Sequence, residues 1–272
     1  DPENGQFTDT GLLMLDDTSY RIILSVDTID SVLLHHQMGI ESAVKKVEKQ
    51  NTIIREELKK QGGKEALHVG RNFIGSFVAA EQAVNCALAI QQQFSSLQEE
   101  GIPIQIHAGE PVAQTDELFG DTLQLLRGMS LLKPKEPILI TSAVNELIAK
   151  DMNYKNTGLL RSLNLPDEQF LISLLDMLQT NYLDNEFRVE DYAQKLTMSK
   201  SQLYRKITSL SGYSANDLLK EFRLEKAKEL LRKKKHNISE VAIETGFTSP
   251  SYFTKCFKTK FGLLPLTYQQ LA

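Results

Sequence analysis

Two short segments near the end of the chain repeat the same order of hydroxyl and cationic side chains. Ser201 and Arg205 in the first segment correspond to Ser251 and Lys255 in the second, at an offset of 50 residues. Arginine can donate two hydrogen bonds to O6 and N7 of guanine, and hydroxyl groups can donate to or accept from base edges. The chemistry that these residue types favour is therefore recognition of bases in the major groove of DNA.

Apolar residues recur at helical spacing between these side chains. The apolar positions are Leu203, Ile207, Leu210, Phe253, Phe257 and Phe261. A serine that can cap a helix stands ahead of each series, at Ser199 and at Ser249. The spacing predicts two amphipathic helices, each with a buried apolar face and an exposed polar face. A merely solvated polar face is the alternative to a DNA contact, and two copies at matched spacing favour the contact.

Polar side chains at the starts and on the exposed faces of these helices are the candidate DNA contacts. They are Lys200, Ser201, Tyr204, Arg205, Lys206, Ser249, Ser251, Thr254, Lys255 and Lys258. Ahead of each helix, a small residue, Ala193 or Ala242, allows another helix to cross closely, and Gly246 suits a left-handed turn. Each copy therefore has the parts of a helix-turn-helix unit.

A long helix is predicted between the two units, over 215–234, with Ser214 as its cap. Its length of about 30 Å is close to the ~34 Å repeat of one turn of B-DNA, so two recognition helices could enter successive major grooves. The basic run at its end, 232–235, includes the candidate phosphate contacts. These are Lys233, Lys234 and Lys235. Complementing the helix dipole is an equally good explanation of this run.

Residues 170–272 resemble the DNA-binding domain of the AraC/XylS family of bacterial transcription regulators. The resemblance is carried by 199–206 (SKSQLYRK), Gly212, Arg223, Ala227, Leu230, Leu231, 238–247 (ISEVAIETGF), 251–253 (SYF), Phe257, Lys258, Phe261, Gly262 and Pro265. It implies sequence-specific binding of double-stranded DNA, with RNA polymerase as a candidate partner. It assigns base contacts to Ser201, Tyr204, Arg205, Ser251, Thr254 and Lys255. Tyr192 and Leu264 depart from the family pattern, both away from the expected DNA face.

The charge of the chain is divided unequally between its two parts. Residues 181–272 contain 16 Lys and Arg against 10 Asp and Glu, whereas residues 1–180 contain 15 against 25, and the net charge is −4. This asymmetry predicts two domains with different partners, of which the basic one contacts a polyanion. Cys86 and Cys256 suit a reducing cytoplasm, and no apolar run approaches the ~20 residues of a membrane span. We therefore expect a cytoplasmic protein without a membrane partner.

Strand-like and helix-like segments alternate in the first part of the chain. Strands are predicted over 20–26, 73–78, 102–107 and 137–141, and helices over 40–60, 79–97, 121–132 and 142–150. The pattern weakens over 151–166, the predicted linker, and the helical DNA-binding domain follows over 167–272 with Asp167 as its N-cap. Residues 1–19 are predicted to be an extension that follows a missing upstream region, because no initiator Met is present.

The alternating region, 20–150, is similar to the catalytic domain of class III nucleotidyl cyclases. The similarity is carried by 70–77 (GRNFIGSF), 104–112 (IQIHAGEPV), 119–122 (FGDT) and 132–134 (LKP). It implies a fold of class α+β, in which a ferredoxin-like, cyclase-like α/β sandwich precedes an all-α domain with two helix-turn-helix motifs. It also implies a dimer, since cyclase domains pair head to tail.

Several residues of the cyclase-like site argue against catalysis. Asp27 matches one metal-binding aspartate, but Arg71 stands at the position of the other and would repel Mg²⁺. Gln124 and Gly128 stand where the family has the Asn and Arg that stabilise the transition state. We therefore predict no enzyme activity, no catalytic residue, no metal and no cofactor.

We predict that the cyclase-like domain senses a ligand or mediates homodimerisation. Its candidate cleft comprises Asp27, Arg71, Gln124 and Arg127. The two arginines could hold the phosphate of a nucleotide-like effector, with surface or ion-paired arginines as the alternative. His107 is assigned to the core or the surface rather than to a ligand site. The alternative functions are an active nucleotidyl cyclase fused to a DNA-binding domain and a constitutive architectural DNA-binding protein.

Overall fold

The computed structural model of the protein describes residues 21–69, 71–97, 99, 101–109, 120–132, 136–148 and 157–272. The predicted N-terminal extension over 1–19 lies outside the described residues, as does part of the predicted linker, 151–156. The described chain forms a sheet with helices around it, and it is helical from Leu165 onward. We call these two portions the sheet part and the helical part.

Six strands of the described chain form one sheet. They are β1 (Arg21–Asp27), β2 (Lys64–Val69), β3 (Asn72–Phe77), β4 (Ile104–Gly109), β5 (Ile138–Ile140) and β6 (Leu160–Ser162). Their order across the sheet is β2-β3-β1-β4-β5-β6. β1 pairs antiparallel with β3 and β4, whereas β4, β5 and β6 run parallel to one another. The first four strands thus have the arrangement of a ferredoxin-like split β-α-β fold.

The helices of the sheet part connect and cover these strands. They are α1 (Ser31–Met38), α2 (Ile40–Lys60), α3 (Ala80–Ser96), α4 (Gly120–Ser130) and α5 (Ser142–Leu147). The helices of the helical part are α6 (Leu165–Asn181), α7 (Val189–Lys195), α8 (Lys200–Ser211), α9 (Ala215–Lys233), α10 (Ile238–Glu244), α11 (Pro250–Phe261) and α12 (Pro265–Leu271). Ala83, Ala87 and Ile90 of α3 are fully buried, because their spacing places them on the face that meets the sheet.

Helices cover both faces of the sheet, since the side chains of each strand alternate between the two faces. On one face, Leu24 of β1 belongs to a core that includes Phe94 of α3. On the other face, Ile23 of β1 belongs to a core that includes Met129 of α4 and Leu171 of α6. The first helix of the helical part therefore helps to close the second face of the sheet.

Two apolar cores in the helical part share helix α9. Leu218 and Phe222 in its first half pack in a core with residues of α6, α7 and α8. Ala227 and Leu231 in its second half pack in a core with residues of α10, α11 and α12. Each buried Leu or Phe side chain stabilises the fold by roughly 1.5–3 kcal/mol. α9 is thus a structural part of both helix-turn-helix units, which we call the first unit (α7–α8) and the second unit (α10–α11).

The turn inside each unit contains a residue with left-handed backbone. Gly246 in the second unit has a φ of 76°, in agreement with its predicted role. The equivalent residue of the first unit, Thr197, has a φ of 53°. This conformation is unfavourable for a β-branched residue, so the first unit carries a strain that glycine relieves in the second.

The boundary between the two parts differs from the prediction. The N-cap of α6 is Asn164, whose side chain accepts a hydrogen bond from the Asp167 backbone nitrogen at 2.8 Å. The prediction of Asp167 as the N-cap is wrong, because its carboxylate pairs with Lys206 instead. The sequence pattern also does not predict β2, α1 or β6. The last of these lies inside the predicted linker and extends the sheet.

Candidate nucleic-acid interface

Helix α8 of the first unit starts at a complete capping box. The Ser199 hydroxyl accepts a hydrogen bond from the Gln202 backbone nitrogen at 3.2 Å, and the Gln202 side chain accepts one from the Ser199 nitrogen at 3.0 Å. The helix ends at Gly212, which has a left-handed φ of 72°. These two caps fix where α8 begins and ends, and thereby which side chains point outward.

The faces of α8 divide as the sequence predicts. Leu203 and Ile207 are fully buried in the core of the first unit. Tyr204 is 59% exposed, and Ser201 and Arg205 are also exposed. Lys200 at the helix start is exposed as well. A large exposed aromatic ring beside a hydroxyl and a guanidinium gives this face apolar, neutral and cationic groups together.

Lys206 departs from the predicted set of DNA contacts. Its ammonium group forms an ion pair with the Asp167 carboxylate of α6 and lies 5.7 Å from the centre of the Phe170 ring. The side chain is directed along the inner edge of α8, toward α6. We therefore leave Lys206 out of the candidate interface.

Helix α11 of the second unit repeats this design. The Ser249 hydroxyl accepts a hydrogen bond from the Tyr252 backbone nitrogen at 3.2 Å, so Ser249 is a cap rather than a free contact. Pro250 occupies the first helical position, where its missing N–H has no cost. The polar residues predicted to face outward divide into two levels of exposure. Ser251, Lys255 and Lys258 are exposed, and Thr254 is half-buried.

Aromatic side chains hold the inner face of α11. Phe253 and Phe257 are fully buried, and their rings meet edge to face at 5.7 Å. Phe257 makes two further edge contacts, with Phe261 at 4.6 Å and with Tyr268 at 5.6 Å. Such aromatic pairs contribute about 0.5–1.5 kcal/mol beyond area burial, so this cluster fixes the rotation of α11 firmly.

The spacer α9 has 19 residues, one fewer than predicted, and is therefore roughly 28 Å long. Lys233, Lys234 and Lys235 at its end are exposed. Arg232, the first residue of the same basic run, is half-buried and pairs with Asp30. The candidate phosphate contacts are thus three lysines, without the arginine.

Arg223 is a structural residue whose role the sequence does not reveal. Its guanidinium donates hydrogen bonds from Nε to the Tyr182 carbonyl at 2.7 Å and from Nη2 to the Asp184 carbonyl at 2.6 Å. A Cβ atom on Gly246 would lie 2.0 Å from the same Tyr182 carbonyl. Arg223 therefore joins α9, the end of α6 and the turn of the second unit. The sequence feature that could have indicated this structural role is the presence of an arginine within the apolar pattern of the spacer.

In the predicted ligand cleft, the structure brings Asp27 and Arg71 together. The backbone nitrogen and the hydroxyl of Thr28 both donate to the Arg71 carbonyl, at 2.8 and 2.6 Å. Asp27 is buried and accepts a hydrogen bond from Gln105 at 3.2 Å. Burial raises the pKa of Asp27, and the nearby Arg71 guanidinium and the Gln105 amide oppose this shift. A two-metal centre needs several carboxylates, whereas Asp27 is a single carboxylate beside the Arg71 guanidinium and the Gln105 amide. This group of residues therefore does not fit such a centre.

The other two residues of the predicted cleft lie on α4. Gln124 is half-buried and Arg127 is exposed on α4. Within the described residues, no hydrogen bond or ion pair joins either of them to Asp27 or Arg71. A Cβ atom on Gly128 would meet the backbone and side chain of Leu171 at about 3.8 Å, so this position packs against α6. Gly128 thus lies at the contact between α4 and α6.

The remaining candidate ligands are bonded within the fold or buried. Nδ1 of His107 lies 3.1 Å from the Thr141 hydroxyl, and burial lowers the pKa of His107 to about 4. Cys86 is buried and Cys256 half-buried, both as free thiols. Among the described residues, no group of His, Cys, Asp and Glu is placed to hold a metal ion. In the same residues, no helix is long and apolar enough to span a bilayer.

Comparison with known proteins gives a family match within the helical part of the chain. The family described as "Helix-turn-helix domain" matches residues 192–271. Histidine kinase P4 of Formosa agariphila is 37% identical over 103 residues, which are 38% of this chain and 8% of that protein. HTH-type transcriptional regulator GadX of Escherichia coli O6:H1 is 33% identical over 122 residues, 41% of this chain and 44% of that protein. The chain therefore covers less than half the length of either relative.

A solved structure of a bacterial light-regulated adenylyl cyclase is similar over 50% of this chain and 47% of that chain. Its sequence identity is 16% and its TM-score 0.42, so the cyclase-like character of the sheet part stays a prediction. The helical part has capped helices with a repeated polar face, a shared spacer and a family match over the same residues. Residues 192–271 form a helix-turn-helix domain.

Proposed function

We propose that the chain is a transcription regulator that binds double-stranded DNA sequence-specifically through both helix-turn-helix units. One observation carries this proposal. Two helices, each capped by serine and fixed by a buried apolar face, present exposed hydroxyl and cationic groups at equivalent positions on either side of one spacer helix. Such helices suit the major groove, which admits an α-helix and displays a distinct pattern for each base pair.

The two helices have different chemistry for reading bases. Arg205 on α8 supplies a planar guanidinium that can donate two hydrogen bonds to one guanine, and Tyr204 beside it can contact a thymine methyl group. Lys255 on α11 supplies a point charge with three donors and no fixed plane. We propose that the first unit discriminates bases more strongly, whereas the second unit contributes more evenly across sequences.

The test begins with duplexes that the native protein selects from a random pool. Arg205→Ala should relax the preference at one base pair by ~1–3 kcal/mol, roughly 5- to 150-fold, because a bidentate contact is lost. Lys235→Ala should weaken all sequences alike and lower the slope of log affinity against log salt by about 1. Equilibrium titrations at several salt concentrations measure both quantities.

Lys45→Ala is the matched control, because it removes an exposed cation from α2, where Lys45 pairs with Glu41 one turn away. This variant should keep both the base preference and the salt slope. If Arg205→Ala keeps the native preference at every position, α8 is not a recognition helix and the proposal fails.

For the sheet part we propose a regulatory role without catalysis, as a sensor or a dimerisation module of about residues 20–150. The mismatch of Asp27 and Arg71 with a metal pair supports the absence of catalysis, and so does the packing of Gly128 against α6. The competing function is an active nucleotidyl cyclase. Incubation with ATP or GTP and Mg²⁺ or Mn²⁺ distinguishes the two, because any cyclic product would contradict our assignment.

A further inference from the structure

A buried carboxylate joins the sheet part to the second unit. Asp30 lies just ahead of α1, and its Oδ2 accepts hydrogen bonds from Lys228 Nζ at 3.2 Å, Arg232 Nη2 at 2.9 Å and Tyr268 Oη at 3.0 Å. Its Oδ1 accepts a further bond from the Val32 backbone nitrogen at 3.1 Å. Lys228 and Arg232 belong to α9 and Tyr268 to α12. We call Asp30, Lys228, Arg232 and Tyr268 the interdomain latch.

Three of the four latch side chains are almost closed to solvent, and Arg232 is half-buried. The side chain of Asp30 is 2% exposed and that of Lys228 is 4% exposed, while Tyr268 is fully buried. Two opposite charges in such surroundings are stable only while they face each other, because each would otherwise lack water and a partner. Asp30 and Lys228 are 198 residues apart, so only the docking of the two parts brings them together.

Residues of α1, α9 and α11 surround the latch. The Phe261 ring lies 4.7 Å from Lys228 Nζ, and Val32 of α1 is part of the core of the second unit. Glu225 pairs with Lys228 at 2.8 Å and with Lys260 at 3.1 Å. Partial burial of Glu225 acts to raise its pKa, but Lys228, Lys260 and Arg71 outweigh it and lower the pKa to about 2. The Glu225 carboxylate therefore remains charged next to Lys228 of the latch.

The first unit is attached to the sheet part at a different place. Leu210 of α8 belongs to the core that covers the second face of the sheet, together with Leu171 of α6. Lys206 of α8 pairs with Asp167 of α6, which packs against α4. The sheet part thus has a separate anchor for each unit, and α9 connects the two anchored units.

Both polar faces remain exposed while the latch is closed, as Arg205 and Lys255 show. The closed arrangement therefore does not cover the residues that would read bases. The latch leaves the polar faces of α8 and α11 exposed and holds the second unit against the sheet part. It is therefore suited to fixing the distance between the two units, and it does not block their contact with DNA.

We propose that Asp30 is a positioning residue, which locks the second unit onto the sheet part and thereby fixes the spacing between the two recognition helices. Opening the latch frees the second half of α9 and the second unit from α1, while the first unit stays anchored to the sheet part. Binding to a site with two half-sites then loses the advantage of a fixed second contact. The DNA consequence rests on the proposed function, whereas the latch itself does not.

The first test measures the latch without DNA. Asp30→Asn removes the charge but keeps a side chain that caps α1 equally well. Hydrogen exchange of the full chain should quicken in α1 and α12 and stay native in β1, which reports the stability of the sheet. Asp176→Asn, an equal change of charge at an exposed position of α6, is the control and should exchange like the native chain.

The milder variant Tyr268→Phe removes one hydrogen bond and keeps the ring in its core. It should quicken exchange in the same two helices, by less. If both latch variants exchange like the native chain in α1 and α12, the latch holds nothing and the proposal is overturned. If Asp30→Asn unfolds the whole chain, the result for Tyr268→Phe decides.

The second test measures spacing on a duplex that the native protein selects. Asp30→Asn should bind this duplex about tenfold more weakly, because the second unit is no longer held at a fixed distance from the first. Inserting one or two base pairs between the half-sites should penalise the variant less than the native protein. An equal penalty for both would overturn the positioning role. If the native protein selects no sequence, the proposed function fails, and hydrogen exchange alone decides about the latch.

Discussion

Single residues decide whether the second unit can form at its present position. Gly246 lies where α6, α9 and the turn of this unit meet, and a Cβ atom there would be 2.0 Å from the Tyr182 carbonyl and 2.7 Å from Arg223 Nε. The carbonyl belongs to backbone, so it cannot move aside as a flexible side chain would. Glycine is required at 246 for space as well as for its backbone conformation.

Gly246→Ala should therefore destabilise the chain by about 2 kcal/mol or more, since it adds a collision to the cost of a positive φ. Gly262→Ala is the matched control. Its φ is 81°, yet no atom lies within 4 Å of an added Cβ, so only the conformational cost of about 1 kcal/mol applies. Urea unfolding of both variants measures the difference. Equal losses would contradict the collision.

His107 gives the stability of the sheet part a dependence on pH. The folded imidazole has a pKa of about 4 because burial disfavours its charged form, whereas an unfolded chain has an ordinary histidine near 6.5. Between these values the unfolded chain binds a proton that the folded chain does not. Stability should therefore fall as the pH drops from about 6.5 toward 4.

His107→Gln should reduce this loss, because glutamine can still bond to Thr141 but takes up no proton. Urea midpoints at several pH values between 4 and 7 measure the effect. His36→Gln, at an exposed position of α1, serves as the control and should keep the native slope. The assignment is wrong if His107→Gln loses stability with acid as steeply as the native chain does.

At the scale of elements, the two helix-turn-helix units are equivalent but not equally relaxed. Thr197 adopts the left-handed conformation that Gly246 has in the second unit, and its side chain is exposed. Thr197→Gly should stabilise the chain by about 0.5–1 kcal/mol, the strain relieved less the added freedom of the unfolded state. Thr197→Ala keeps a Cβ atom and should show no such gain. Thermal unfolding compares them, and a loss of stability in Thr197→Gly would contradict the strain.

The elements differ in how far the sequence could predict them. Helix α2 has a long amphipathic pattern and α9 begins at the Ser214 cap, and the sequence predicts the bounds of both to within one residue. β2 and α1 were not predicted. β2 carries polar residues at the edge of the sheet, and α1 is eight residues long with little segregation of apolar side chains. β6 has only three residues, and its identity as a strand comes from pairing with β5.

At the scale of the whole molecule, long-range ion pairs decide which cations of the helical part face solvent. Lys206 is a predicted DNA contact, and Arg232 begins the basic run that includes the candidate phosphate contacts. Their partners, Asp167 and Asp30, are far away along the chain and meet them only after folding. Most residues of the predicted polar faces of α8 and α11 are exposed, because their exposure follows from helical spacing, whereas Lys206 and Thr254 are half-buried.

The sheet part and the helical part are also less separate than the charge pattern implies. α6 helps to close one face of the sheet, and the latch joins the other end of the helical part to α1. The two parts have opposite charge balances, and some of these opposite charges pair with each other across the boundary, as Asp30 does with Lys228 and Arg232. Several cations of residues 181–272 form ion pairs inside the protein. The number of cations available to DNA is therefore smaller than their total number in this segment.

A footprint on a selected duplex tests the central claim most directly. The native protein should protect two stretches of major groove on one side of the DNA, about 10–10.5 base pairs apart. Arg205→Ala should weaken protection mainly at one stretch and Lys255→Ala mainly at the other. A single protected stretch, or the same stretch weakened by both variants, would contradict two recognition helices held by one spacer.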